Sequence, residues 1–177
     1  LAHQSTGIQH RLAKGHAIAA ALVDQDAVRE GVGIDTDQFA DQHLLIDQRR
    51  KTEPGLTKLG TDLAVPDAML GRALEMYHEG LDKAELEFVM FGHVGNNHLH
   101  VNIIPATMAD YDKGKQLYLA WATEVVKMGG TVSAEHGIGK LKKALLRQMY
   151  GDKGIADMQG LKQSFDPAGM LNPGNLF

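Results

Sequence analysis

Three histidines fall within eight residues of one segment, Phe91-Gly92-His93-Val94-Gly95-Asn96-Asn97-His98-Leu99-His100-Val101-Asn102. On an extended strand alternate side chains point to opposite faces. Leu99, Val101 and Ile103 then share a face with the composition of a core, and His98, His100 and Asn102 share the other. Three polar groups in a row are costly there unless they are exposed or functional. His93 precedes the turn Gly95-Asn96-Asn97, and a hairpin brings facing Cβ atoms to ~4.5–5.5 Å, so His93 can approach His98 or His100. Two imidazoles at that separation can chelate a divalent ion through bonds of ~2.0–2.1 Å. The plainer alternative is a set of surface or hydrogen-bonded histidines. A need for positive φ at Gly95 and the Asn pair accounts for the turn without any function.

A second segment, Gly129-Gly130-Thr131-Val132-Ser133-Ala134-Glu135-His136-Gly137-Ile138-Gly139, sets an acid beside a histidine at a strand end. Adjacent residues on an extended segment point opposite ways, so Glu135 and His136 can face one site only where the chain bends, which the glycines permit. Glu135 would complete a His2Glu set with positions left open for a substrate. Helix capping explains the same two residues equally well. Lys142 could steer an anion, whereas Lys140, Lys143 and Arg147 read as a solvated helix face. Asn172-Pro173-Gly174 is a turn first and a site second.

The elements that must carry these residues are legible from Lys51 onward. Leu59–Val65 reads as a strand stopped by Pro66, and 67–80 as an amphipathic helix with Leu70, Ala73, Leu74 and Tyr77 at helical spacing. Strands over Leu86–Phe91 and His98–Ile104 flank the turn. A helix over Asp110–Met128 ends at Gly129-Gly130, a short strand covers Thr131–Ala134, and a helix runs over Gly137–Tyr150. A last helix ends near Asp166-Pro167. The order implies an α+β fold, one mostly antiparallel sheet backed by helices. Residues 1–50 are rich in Gln and His with little periodicity; Ala13–Arg29 could form a helix, and the stretch reads as peripheral to a main domain over 51–177.

Composition narrows the classes. Apolar residues at 44% and charged residues at 23% are ordinary for a globular domain. A net charge of −4 argues against a nucleic-acid surface. No run approaches the ~20 apolar residues needed to span a bilayer. With no cysteine, disulfides, thiolate catalysis and Cys-based zinc sites are excluded, and a cytoplasmic setting is expected. Any metal must be held by His and carboxylate. The chain begins at Leu1, which reads as part of something longer.

Taken together, three stretches resemble a known family. His93–Asn102 looks like G-H-x-G-D-G-N-L-H-x-N, Thr131–Lys142 like S-x-E-H-G-x-G-x-x-K, and Phe165–Gly174 like D-P-x-x-x-L-N-P-G. Lys58–Pro66 also resembles a strand common in the D-lactate-type members. These are patterns of the C-terminal domain of FAD-linked oxidases in the vanillyl-alcohol-oxidase superfamily. That group includes D-lactate dehydrogenases, the glycolate oxidase flavin subunit and D-2-hydroxyglutarate dehydrogenase. The resemblance implies a ferredoxin-like cap domain followed by a helical C-terminal segment. It implies a divalent metal, zinc by preference, on His93, His100 and Glu135. Substrate contacts fall to Asn102, His136 and Lys142, the base to His136, and a flavin contact to Asn172.

The implied reaction oxidises a small 2-hydroxy acid, D-lactate first. The metal polarises the hydroxyl, His136 takes its proton, and hydride passes to FAD. No FAD pyrophosphate loop is recognisable in these 177 residues, so FAD is expected on an N-terminal domain and no turnover is expected from this chain alone. The resemblance leaves room for a homodimer and for peripheral attachment at the inner face of a membrane, and it names no electron acceptor. The departure from the pattern is the turn, where Asn96-Asn97-His98 replaces Asp-Gly-Asn and introduces an additional imidazole. A metal-dependent hydrolase and a non-catalytic binding module remain alternatives at this stage.

Overall fold

The computed structural model describes residues 17–20 and 36–177. Its sheet is built around a central hairpin, β4 (Phe88–His93) and β5 (His98–Ile103). β1 (Ala17–Ala20) adds to β4 in parallel, and the short β2 (Leu59–Gly60) and β3 (Leu63–Ala64) both pair antiparallel with β5. The sheet is therefore mostly antiparallel and the fold is α+β, as the order of elements implies.

Two helices cover one face. They are α2 (Leu70–Ala84), entered through a 3₁₀ turn at Asp67–Met69, and α3 (Met108–Lys127), capped by the Thr107 hydroxyl on the Asp110 N–H. The expected alternation holds. Leu99, Val101 and Ile103 of β5 join Phe88 and Met90 of β4 in the main core, against Ala73, Tyr77 and Leu81 of α2 and Trp121, Ala122 and Val125 of α3. Tyr77 and Trp121 meet edge to face with ring centroids 4.9 Å apart, a favoured aromatic geometry.

The opposite face is shared between a helix and the polar cluster. Helix α1 (Thr36–Arg49) lays Ile46 on Val89 and Ile104, and its Arg49 guanidinium bonds the Ile104 carbonyl at 2.8 Å and Glu87 at 2.6 Å. This helix lies in the stretch whose pattern shows little periodicity. Among its described side chains, Leu45 and Ile46 join a small satellite core. Within Ala13–Arg29 the described part, Ala17–Ala20, is a strand and not the expected helix, and the rest lies outside the described residues. A short apolar run is ambiguous between the two, and the free edge of β4 decides it.

Two other elements differ from expectation. The Leu59–Val65 strand is split at Thr61-Asp62, although the pairings Gly60↔Asn102 and Leu63↔Leu99 keep one register. Thr61 Oγ1 accepts the Val101 N–H at 2.9 Å, in place of a carbonyl, and donates to the Leu99 carbonyl at 3.3 Å. The helix expected from Gly137 begins only at Lys143: Gly137 and Gly139 have φ of 72° and 57°, outside the helical region. The final helix, α4, runs over Lys143–Phe165 with a break at Gly151. The Thr131–Ala134 strand is reduced to one antiparallel bridge, Ala64↔Thr131, before the chain bends away.

Candidate functional site

The hairpin register decides how the histidines meet. His93 faces His98 directly across the strands, and His100 faces Phe91, so all three imidazoles lie on the face opposite the main core. Glu135 reaches the same point from the bend after the Ala64↔Thr131 bridge. Its Oε2 is 3.4 Å from His93 Nε2 and its Oε1 is 2.9 Å from His100 Nε2. His136 Nε2 stands 3.2 Å from the same Oε1. Adjacent residues thus face one site, which the bend allows. One ligating atom from each of His93, His98, His100 and Glu135 lies within 4.8 Å of all the others.

The bend is held by Asp62. This carboxylate is buried at the split of the β2–β3 segment and accepts the backbone N–H groups of Ala134, Glu135 and His136 at 3.2, 3.0 and 3.2 Å. It also accepts the Ser133 hydroxyl at 2.8 Å and the Lys142 ammonium at 2.6 Å. Burial alone would raise its pKa, but the bonds from Lys142, the Glu135 N–H and Ser133, with the Lys142 charge, outweigh that and hold it at about 2. Asp62 is therefore an anion at any ordinary pH. Sequence reasoning passed over it, although a lone acid inside the apolar run Leu59–Val65 is itself a signal that a partner exists.

Thr61 supplies the matching control on His100. Its hydroxyl takes over the ladder bond, and its carbonyl lies 3.0 Å from His100 Nδ1. A carbonyl only accepts, so Nδ1 carries the hydrogen and Nε2 is directed at Glu135. A neutral imidazole nitrogen 2.9 Å from a carboxylate oxygen is repulsive unless a cation, a proton or a metal ion, stands between them. The second-nitrogen bond to a backbone carbonyl is the usual orienting contact of a metal-ligating histidine. The spacing fits as well: donors around a tetrahedral ion with bonds of ~2.0–2.1 Å stand ~3.3 Å apart, against 3.4 and 2.9 Å here. His93, His100 and Glu135 are donors that could hold a divalent ion.

The electrostatics agree with a cluster built around one charge. Burial opposes ionisation of Glu135, but His100, His98, His93 and His136 together pull its pKa below the ordinary value. His98 is pushed down by burial and by its histidine neighbours, against the pull of Glu135 and Asp62.

The other expected residues are tied into the structure around this point. Asn102 follows His100 by two residues on the same face of β5, buried beneath α1 with its Nδ2 donating to Gln42 Oε1 at 2.8 Å. The Lys142 ammonium is committed to Asp62 and Ser133. Asn172 lies in the exposed tail at φ 46°, and that tail returns to the site loop where the Leu176 N–H meets the Gly139 carbonyl. The turn glycine behaves differently from expectation. Only Asn97 of Gly95-Asn96-Asn97 takes positive φ, whereas Gly92 is the constrained position, since a Cβ there would lie 2.2 Å from the His98 carbonyl oxygen.

Residues 3–176 match the family model described as FAD linked oxidases, C-terminal domain. The chain belongs to that family. It is 26% identical over 156 residues to the glycolate oxidase subunit GlcD of Bacillus subtilis, covering 84% of this chain and 33% of that protein. It is 28% identical over 182 residues to a D-2-hydroxyglutarate dehydrogenase of Xanthomonas citri, covering 98% and 38%. It is 33% identical over 125 residues to a probable mitochondrial D-lactate dehydrogenase of Danio rerio, covering 70% and 25%. The chain thus spans about a third of the length of the curated relatives it matches. The family carries FAD and implies an FAD-binding domain as partner of this one. No helix among the described residues is long and apolar enough to cross a membrane.

Proposed function

We propose that this chain is the substrate- and metal-binding domain of a flavin-dependent D-2-hydroxy-acid dehydrogenase that converts a small hydroxy acid, D-lactate by preference, to its 2-oxo acid. The observation that carries the reading is the convergence of His93, His100 and Glu135 with His136 at their side. The names of the relatives, a glycolate oxidase subunit, a D-2-hydroxyglutarate dehydrogenase and a probable D-lactate dehydrogenase, point to the same chemical class. When bound, the divalent ion supplies Lewis acidity toward a carboxylate and its 2-hydroxyl, and FAD on the partner domain supplies the hydride acceptor.

The chain's own residues do the rest. His93, His100 and Glu135 hold the ion, with His100 oriented by the Thr61 carbonyl. His136 has a side chain 63% exposed beside Glu135, so it can reach a substrate and take the hydroxyl proton. Asp62 and Lys142 contribute by fixing the loop that carries Glu135 and His136. Asn172, on the tail that meets this loop, is placed on the flavin side in this reading. The absence of cysteine suits a cytoplasmic setting.

The test is His136→Ala in the full-length protein, followed by anaerobic flavin bleaching with D-lactate, glycolate and D-2-hydroxyglutarate. Loss of a general base should slow reduction by ~10²–10⁴-fold while leaving metal content unchanged. Bleaching at the unaltered rate would remove His136 from the reaction.

A further inference from the structure

Among the three turn residues that depart from the family pattern, His98 stands where the pattern has Asn and brings an additional imidazole. It is 3% exposed, and its Nε2 has no hydrogen-bond partner. Asp62 Oδ1 lies 3.3 Å from that nitrogen, but the alignment falls short of a hydrogen bond. A buried polar atom left this way is unfavourable unless another partner is supplied. The partner at hand is the centre already described: one ring nitrogen of His98 lies within 4.8 Å of the donor atoms of His93, His100 and Glu135. The ring itself is fixed between two imidazoles, 4.2 Å from that of His100 and 5.6 Å from that of His93, centroid to centroid.

We propose that His98 is a fourth protein ligand, so that this chain holds its divalent ion with three imidazoles and one carboxylate. The inference rests on reading the cluster as a metal centre and adds a donor to it. The Asp62 carboxylate, 3.3 Å from the same Nε2, sets a negative charge beside a cation held there. Three nitrogen donors and one oxygen favour zinc or a later first-row ion over magnesium or calcium, which take oxygen. A four-donor set leaves the substrate a fifth position, which zinc accommodates. The ion is accordingly held more firmly than by a His2Glu set.

The experiment uses the full-length protein, stripped with chelator and reloaded with zinc alone. X-ray absorption at the zinc edge counts coordinated imidazoles, and three are expected. Zinc affinity is then compared by competition with a chromophoric chelator in the unaltered protein, His98→Asn and His100→Ala. His98→Asn should bind at least about 10-fold more weakly, since removing even an outer-shell partner of a ligand typically costs 10–100-fold. Two imidazoles in the unaltered protein, or unchanged affinity in a His98→Asn protein whose His100→Ala counterpart loses zinc, would overturn the fourth ligand and leave the metal centre standing. Failure of the unaltered protein to bind zinc would overturn both. If His98→Asn does not fold, the absorption measurement on the unaltered protein decides alone.

Discussion

Replacing Asp62 by Asn tests the physical core of the site most directly. The substitution keeps the volume and one carbonyl oxygen but removes the charge that Lys142 was buried to meet. Asp62 Oδ1 serves the N–H groups of Ala134 and Glu135, and Oδ2 serves the N–H of His136, the Ser133 hydroxyl and Lys142. An amide can keep one of these sets only, because its NH2 must then face the other donors. Lys142, whose side chain is 17% exposed, is left without its counter-charge. Breaking a buried pair from one side costs about 3–5 kcal/mol.

The ionisation gives an independent figure for Asp62. A carboxyl held at about 2 instead of 3.8 contributes roughly 2 kcal/mol at neutral pH, at about 1.4 kcal/mol per unit. Because the folded value is the lower one, this contribution is fully present above pH about 4 and is lost as pH falls through about 2. Urea unfolding of both proteins between pH 6 and pH 2 isolates this carboxyl, since the others titrate in both. The gap should be largest at pH 6 and narrow in the most acid samples. A gap under about 0.5 kcal/mol at pH 6, the range of an ordinary surface change, would refute the account of the bend. So would one that does not change with pH.

Two smaller substitutions probe the hairpin. Thr61→Val removes the oxygen that accepts the Val101 N–H and should cost about 1–3 kcal/mol by urea unfolding; a neutral result would mean that the carbonyl can resume the ladder bond. Gly92→Ala drives a Cβ toward the His98 carbonyl and should cost at least about 1–3 kcal/mol. Gly95→Ala, with nothing within 4 Å and no positive φ, should lie within about 0.5 kcal/mol of the parent by thermal unfolding. Equal effects at the two glycines would contradict the register at the turn.

The sequence made the contents of the site legible better than its supports. Alternation along β5 separates Leu99, Val101 and Ile103 from His98 and His100, and the two-residue period carries that through unchanged. The glycines after His136 announce a bend, and the bend is there, at φ of 72° and 57°. What holds the bend could not be read locally, because Asp62 lies 73 residues from Glu135 in sequence. Thr61 is equally silent, since its hydroxyl in a ladder position makes sense only once Val101 is opposite. Helix α1 was missed for a related reason. Among its described side chains, Gln42, Leu45 and Ile46 meet the sheet, too few positions to impress a helical period on the pattern.

The site divides into an inner and an outer half, and the division follows from where each side chain is fixed. His98, His100 and Asp62 are buried, and Thr61 and the Asp62–Lys142 pair fix them from below. His93 and Glu135 have side chains 40% exposed, and His136 is 63% exposed. A catalytic centre needs its donors preorganised, which buried bonds supply, and its reacting partner reachable, which exposure supplies. On the proposed reading the hydroxy acid and the flavin arrive from the outer side, where His136 stands. Helix α1 packs on the same sheet face further from the turn, through Ile46 on Val89 and Ile104. The same strand pair thus carries an apolar core on one face and a charged, half-open centre on the other. Thr61 and Asp62, adjacent on one edge segment, are the residues at which that change of face is made.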